Sequence, residues 1–191
     1  MPRLDISRDL VHWIKAETDH DAFEVLRKIV SEKRIIGGSG HIKGDYVCVC
    51  FTEAPIHTFH DVIGRYRPFG IRITKNFAYD QGGRPVIYQS DAEYVQLPEA
   101  LRWRHVRYEP NNMPPIDFSW EREWRIKTGE VVLPPGQASV IVPCESWADQ
   151  LSHEHLVGEE SRIQMEAMAY GSEWLMQTPD PFYYPFCVVN V

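Results

Sequence analysis

No run of about 18 apolar residues occurs in this chain, which excludes a membrane-spanning helix. Met1 to Ser7 contains no apolar h-region, so no secretory leader is expected and the chain is read as cytoplasmic. Cysteine is scarce. The four residues Cys48, Cys50, Cys144 and Cys187 do not make the framework of a secreted mini-domain, and they are read as reduced thiols. Cys48 and Cys50 lie within one apolar run and are expected on opposite faces of a strand, unable to bond to each other or to share a metal.

Several chemical signatures are also missing. There is no Cys-x-x-Cys and no His-Glu-x-x-His. Among the eight histidines, His57 and His60 have helical spacing and His153 and His155 flank Glu154, but none sits beside a spaced cysteine pair. No metal site is therefore expected. Gly37, Gly38 and Gly40 are not followed by Gly-Lys-Ser/Thr, and no Gly-x-Ser-x-Gly elbow is present. A basic excess is absent too. The net charge of −7 disfavours a general phosphate-backbone binder, leaving only a local basic groove open.

What is present is a folding composition. Of 191 residues, 43% are apolar and 12% aromatic, which suits one domain spanning residues 1–191 rather than a disordered chain. Leu10–Lys15 reads as a strand. Thr18 or Asp19 then starts a helix whose apolar residues Phe23, Leu26, Ile29 and Val30 repeat at helical spacing through Lys33. Lys28, Lys33 and Arg34 are placed to suit the helix dipole, and Gly37–Gly40 forms a loop. Further strands are expected at Tyr46–Phe51, Phe69–Thr74, Pro85–Tyr88, Trp120–Lys127 and Ala138–Val142, with a last edge strand at Val188–Val189. Helical segments are expected at Ile56–Ile63, in part of Ala92–Val106, from Glu145, and over Ser161–Met176. This order predicts an α+β domain with a mixed or antiparallel sheet core and peripheral helices.

Four segments carry candidate chemistry. On a strand through Trp120–Lys127, Glu121, Glu123 and Arg125 share one face and Trp120, Arg122, Trp124 and Ile126 the other. Two neighbouring carboxylates suit glycosyl-transfer chemistry, where one stabilises an oxocarbenium-like centre and the other orients a nucleophile. The same pattern also reads as a strand face holding Glu–Arg ion pairs. His12 precedes the first helix, where an imidazole can donate to a ligand or bond a backbone carbonyl. Thr52 ends a buried strand and can offer its hydroxyl to a ligand or cap the next helix. Arg102, Trp103, Arg104, Arg107 and Tyr108 interleave basic and aromatic side chains, the pattern of a nucleic-acid contact or of a surface with half-buried rings.

Leu10-Val11-His12-Trp13, Val47 through Pro55 and Glu121-Arg122-Glu123-Trp124-Arg125 together resemble AbiGi-type abortive-infection proteins and, more distantly, DarT-type ADP-ribosyltransferases. The resemblance implies an ADP-ribosyltransferase-like fold and NAD as substrate. It also implies a phage-defence or toxin setting, with a protein or nucleic-acid acceptor and a cognate toxin or antitoxin as partners. By it, His12 contacts the NAD ribose and nicotinamide, and Thr52 or Tyr66 supports the nicotinamide pocket. Glu123 matches the carboxylate that promotes N-glycosidic cleavage, with Glu121 as its companion. A non-catalytic binding module of the same fold, serving as antitoxin or phage sensor, is the alternative, and nucleic-acid binding a second one.

Overall fold

The computed structural model describes residues 6–40, 42–54, 56, 66–171 and 175–190. Strand β1 (Asp9–Trp13) is followed by helix α1 (Asp19–Glu32). Thr18 caps α1: its hydroxyl accepts from Asp21 N–H at 3.1 Å while the Asp21 carboxylate accepts from Thr18 N–H at 3.2 Å. This satisfies two amide donors that have no partner inside the helix. The helix ends at Lys33, whose φ of 52° is left-handed. No basic residue lies in its last turn, because Lys33 is already the cap and Arg34 opens the next strand.

The remaining strands are β2 (Arg34–Ile36), β3 (Val49–Thr52), β4 (Gly70–Thr74), β5 (Arg84–Pro85), β6 (Ile87–Gln89), β7 (His105–Arg107), β8 (Glu123–Ile126), β9 (Glu130–Val132), β10 (Ala138–Val142) and β11 (Phe186–Val188). Among the described residues, short helices α2 (Lys75–Asp80) and α3 (Asp91–Tyr94) and the long helix α4 (Glu145–Tyr170) follow, with 3-10 turns at Glu99–Arg104 and Ser119–Glu121. Seven strands form one sheet in the order β11-β10-β4-β1-β3-β8-β5. All neighbours run antiparallel except β10 and β11, which are parallel across the α4 connection. β2 pairs with β9 antiparallel and β6 with β7 parallel, as two small separate ladders. The α+β expectation with a mixed sheet holds.

One sheet face carries the main core. Leu10, Val49, Phe51, Ile71, Ile73, Ile126 and Val140 pack there against Phe23 and Leu26 of α1 and Ala148 and Leu151 of α4. Phe23, Phe69 and Trp147 interlock, with the Trp147 ring centroid 4.7 Å from Phe23 and 5.3 Å from Phe69. The opposite face holds a smaller cluster of Val11, Trp13 and Ile141, with Tyr66 packed against it. Gly70 lets β4 approach β1 closely: a Cβ there would lie 2.6 Å from the His12 carbonyl oxygen.

Several sequence expectations need correction. Cys48 and Cys50 pack in one cluster with Ile42 and Trp103, so their side chains lie on the same side. Side chains two residues apart along a strand return to the same face, which the expectation of opposite faces overlooked. All four cysteines are free. The strand expected over Trp120–Lys127 begins only at Glu123, because Ser119–Glu121 is a 3-10 turn and Arg122 is left-handed at φ 46°. The helix expected to continue to Met176 ends at Tyr170, before Gly171 with φ 127°. The expected helix at Ile56–Ile63 falls, apart from Ile56, outside the described residues, as do His57 and His60. No helix among the described residues is long and apolar enough to cross a membrane.

Candidate functional site

The face of the sheet opposite the main core forms the floor of an open cleft of about 1050 Å³. Strand register builds that floor. Val11 faces Thr52 and Thr52 faces Glu123, so three central strands place these side chains in one row. The next row pairs Cys50 with Arg125. Neighbouring strands lie about 4.8 Å apart, so the row from β1 to β8 spans about 10 Å. His12, Thr52, Tyr66, Glu121 and Glu123 all line this one cleft.

Glu123 is bound to a buried cation. Arg125 Nε donates to Glu123 Oε1 at 2.7 Å and one terminal nitrogen donates to Oε2 at 3.3 Å. The other terminal nitrogen donates to the carbonyls of Trp103 and His105, each at 2.9 Å. Arg125 is 4% exposed, and every branch of its guanidinium is used. Burial opposes the Arg125 charge, but the charge and hydrogen bonds of Glu123 outweigh it and raise its pKa above the ordinary value. Burial, reinforced by the nearby Glu123 carboxylate, pushes the Cys50 thiol pKa far up. Cys50 is therefore a neutral thiol rather than a thiolate nucleophile. The Glu123 N–H donates to the Tyr88 hydroxyl at 3.0 Å, and burial raises that phenol to about 12.

Glu121 is held from two sides. Thr52 Oγ donates to the Glu121 carbonyl and accepts from Ala54 N–H at 3.2 Å. The Tyr66 hydroxyl donates to Glu121 Oε1 at 3.3 Å. The left-handed Arg122 separates the two carboxylates, so Glu121 does not share the β8 strand face with Glu123. Both carboxylates reach the cleft, Glu121 from the 3-10 turn and Glu123 from the strand.

His12 is half-buried in the wall of the cleft. Its Nδ1 lies 2.9 Å from the Cys50 carbonyl oxygen, and its ring meets Phe51 edge-on at 5.9 Å. A carbonyl only accepts, so Nδ1 carries the hydrogen and Nε2 keeps the lone pair of a neutral imidazole. Burial lowers the His12 pKa, with the Cys50 hydrogen bond opposing. This is the backbone-bonded histidine that the sequence left as one of two readings.

The basic stretch is largely engaged within the protein. Arg102 donates to the carbonyls of Leu97 and Val95, and Arg104 to that of Pro85. Trp103 is buried, and its indole N–H donates to the Ala100 carbonyl at 2.9 Å. Only Arg107 of this set reaches the cleft, and it is paired with Glu109 at 2.5 Å.

Sequence reasoning did not single out Cys50, Lys43, Asp91 or His105 as site residues, and these also line the cleft. Lys43 and Asp91 form an ion pair 48 positions apart, for which no local pattern exists. Cys50 carried a usable signal, because its offset from Thr52 puts both on one strand face. Among the described residues no group of three His, Cys, Asp or Glu side chains is placed to hold a metal ion. No protein-family model matches the chain, and no curated protein and no solved structure matches it either.

Proposed function

We propose that the cleft binds NAD and that the chain cleaves its N-glycosidic bond, as an ADP-ribosyltransferase or NAD glycohydrolase in a bacterial toxin or phage-defence setting. The observation that supports this reading is the meeting of His12, Thr52, Tyr66, Glu121 and Glu123 around one cleft, although they come from four separate chain segments. In the reaction, the bond between the ribose anomeric carbon and nicotinamide breaks, and its electron pair leaves on the nicotinamide nitrogen. Water or an acceptor hydroxyl then attacks the oxocarbenium-like centre and gives up its proton to a carboxylate.

The two carboxylates differ in their roles. The charge of Glu123 is matched by Arg125 at 2.7 Å, so that pair presents little net field to a developing cation. Charge stabilisation and proton acceptance are assigned to Glu121, which lines the cleft and is oriented by Thr52 and Tyr66. Glu123 and Arg125 fix the strand beneath it. The His12 Nε2 lone pair suits a ribose hydroxyl as donor.

The test is nicotinamide release from NAD by purified protein. Glu121→Gln is expected to lower the rate by about 10²-fold or more with folding intact. An unchanged rate in that variant overturns the assignment, and absence of release by the unmodified protein overturns the enzymatic reading. One observation favours a second reading, the non-catalytic binding module: the carboxylate on the strand is already neutralised by an internal arginine. That reading expects no turnover under any condition.

A further inference from the structure

We propose that Asp91 is an internal competitor for a phosphate-bearing ligand, occupying the place between Lys43 and Arg107 in the cleft wall. The inference rests on the cleft assigned to NAD, but its test does not depend on NAD chemistry.

Three chain segments converge there. Lys43 comes from the loop between β2 and β3, Asp91 opens α3 and Arg107 ends β7, and all three line the cleft. One carboxylate faces both cations. Asp91 Oδ1 lies 2.8 Å from Lys43 Nζ, and Oδ2 lies 3.8 Å from Arg107 Nε. Two oxygens of one anion shared between an ammonium and a guanidinium is the arrangement a phosphate group adopts with such a pair. Asp91 holds it with a single negative charge.

The exchange is energetically open. The Lys43, Asp91 and Arg107 side chains are 42%, 42% and 45% exposed. Ion pairs at such exposure contribute little to stability, so little is lost when Asp91 turns away. A phosphate brings up to about two charges and three acceptor oxygens in its place. The cations are held for the incoming group by other contacts. Lys43 sits over the Tyr94 ring at 4.6 Å, and Arg107 remains paired with Glu109 at 2.5 Å. Glu109 also accepts from the Asp91 N–H at 3.2 Å, so the backbone of α3 stays fixed when the Asp91 side chain leaves. Lys43 holds the Asp91 carboxyl below its ordinary pKa, so the competitor stays ionised at neutral pH.

The cleft lining thus includes the carboxylates Glu121 and Glu123 and the cations Lys43 and Arg107, and a ligand with an anionic diphosphate and a cationic ring has a group of opposite charge for each.

Pyrophosphate is the probe, titrated calorimetrically into the protein at low salt without NAD. Asp91→Asn removes the competing charge and is expected to tighten pyrophosphate binding about tenfold, equivalent to about 1.4 kcal/mol. Lys43→Ala and Arg107→Ala, each added to Asp91→Asn, are expected to return affinity to the original level or below. All three sites are exposed, and retained thermal midpoints check that the variants fold. Equal pyrophosphate affinity in the unmodified and Asp91→Asn proteins overturns the inference. So does tight binding that Lys43→Ala and Arg107→Ala leave unchanged, since the anion then sits elsewhere. Pyrophosphate binding that follows this pattern without any nicotinamide release upholds the anion site and sinks only the NAD reading. Nicotinamide release with pyrophosphate affinity indifferent to Asp91 does the reverse.

Discussion

Replacing Arg125 by methionine is expected to be among the most damaging single changes in the cleft floor. The methionine keeps most of the aliphatic volume and removes four hydrogen bonds. Two of these leave the carbonyls of Trp103 and His105 without this donor in a buried setting. The other two leave the Glu123 carboxylate, 13% exposed, without its countercharge. Breaking a buried pair by removing one partner costs about 3–5 kcal/mol, a large part of a total stability of about 5–15 kcal/mol. Urea unfolding followed by tryptophan fluorescence measures the loss. Glu123→Met combined with Arg125→Met strands no charge, so the double variant should recover about 2 kcal/mol of the single variant's loss. Arg125→Lys keeps the charge but not the fork, and should fall between the unmodified protein and Arg125→Met. A loss below about 1 kcal/mol for Arg125→Met, or a double variant no more stable than the single, would refute the reasoning.

The same geometry leads to two more expected outcomes. The folded protein holds His12 below the ordinary histidine pKa, so its contribution to stability is complete above about pH 6.5 and is lost as pH falls from there toward the lowered value. His12→Gln retains a donor for the Cys50 carbonyl without titrating, so its thermal midpoint should fall less steeply between pH 7 and 5. Parallel pH profiles for the two proteins would contradict this. Gly70→Ala places a Cβ 2.6 Å from the His12 carbonyl oxygen and 3.3 Å from the Trp13 ring, where backbone must shift. It should lower stability by about 1–3 kcal/mol in the same urea assay, and a neutral effect would mean β4 is free to move away.

How far the fold was legible depends on how local its causes are. β10 was readable as Ala138–Val142 because five consecutive buried residues, the last three the β-branched Val140, Ile141 and Val142, admit few alternatives. α1 was readable because Thr18 and Asp21 announce their reciprocal cap just before Ala22 and Phe23 begin the buried stripe. The start of β8 was not readable, since nothing in Trp120-Glu121-Arg122-Glu123 signals that Arg122, a non-glycine residue, adopts φ 46°. That one backbone angle decides that Glu121 and Glu123 approach the cleft from different elements.

The site was half legible for a related reason. Residue types suited to the chemistry stood out in the sequence, but their partners are distant along it. His12 bonds Cys50 across 38 positions and Thr52 bonds Glu121 across 69. Trp124, read only as a packed residue, donates to Glu53 at 2.8 Å across 71 positions, and Glu53 in turn pairs with Lys75 at 2.6 Å. The basic segment around Arg102 kept two readings for the same reason, because the backbone carbonyls that engage Arg102 and Arg104 carry no side-chain signature.

The pairing of β1 with β3 has a mechanical meaning. β1 meets β4 along five register pairs from Asp9 to Trp13, but meets β3 at the single pair Val11 and Thr52. A ladder with one rung resists shear least at that rung, so the sheet divides there into a four-strand panel and a three-strand panel. The His12 imidazole, bonded to the Cys50 carbonyl, is a side-chain tie laid across the division. The cleft floor straddles this line, with Val11 on one panel and Thr52 and Glu123 on the other. A molecule seated in the cleft would span this line and act as a splint, slowing amide exchange in β1 and β3 before it altered any loop.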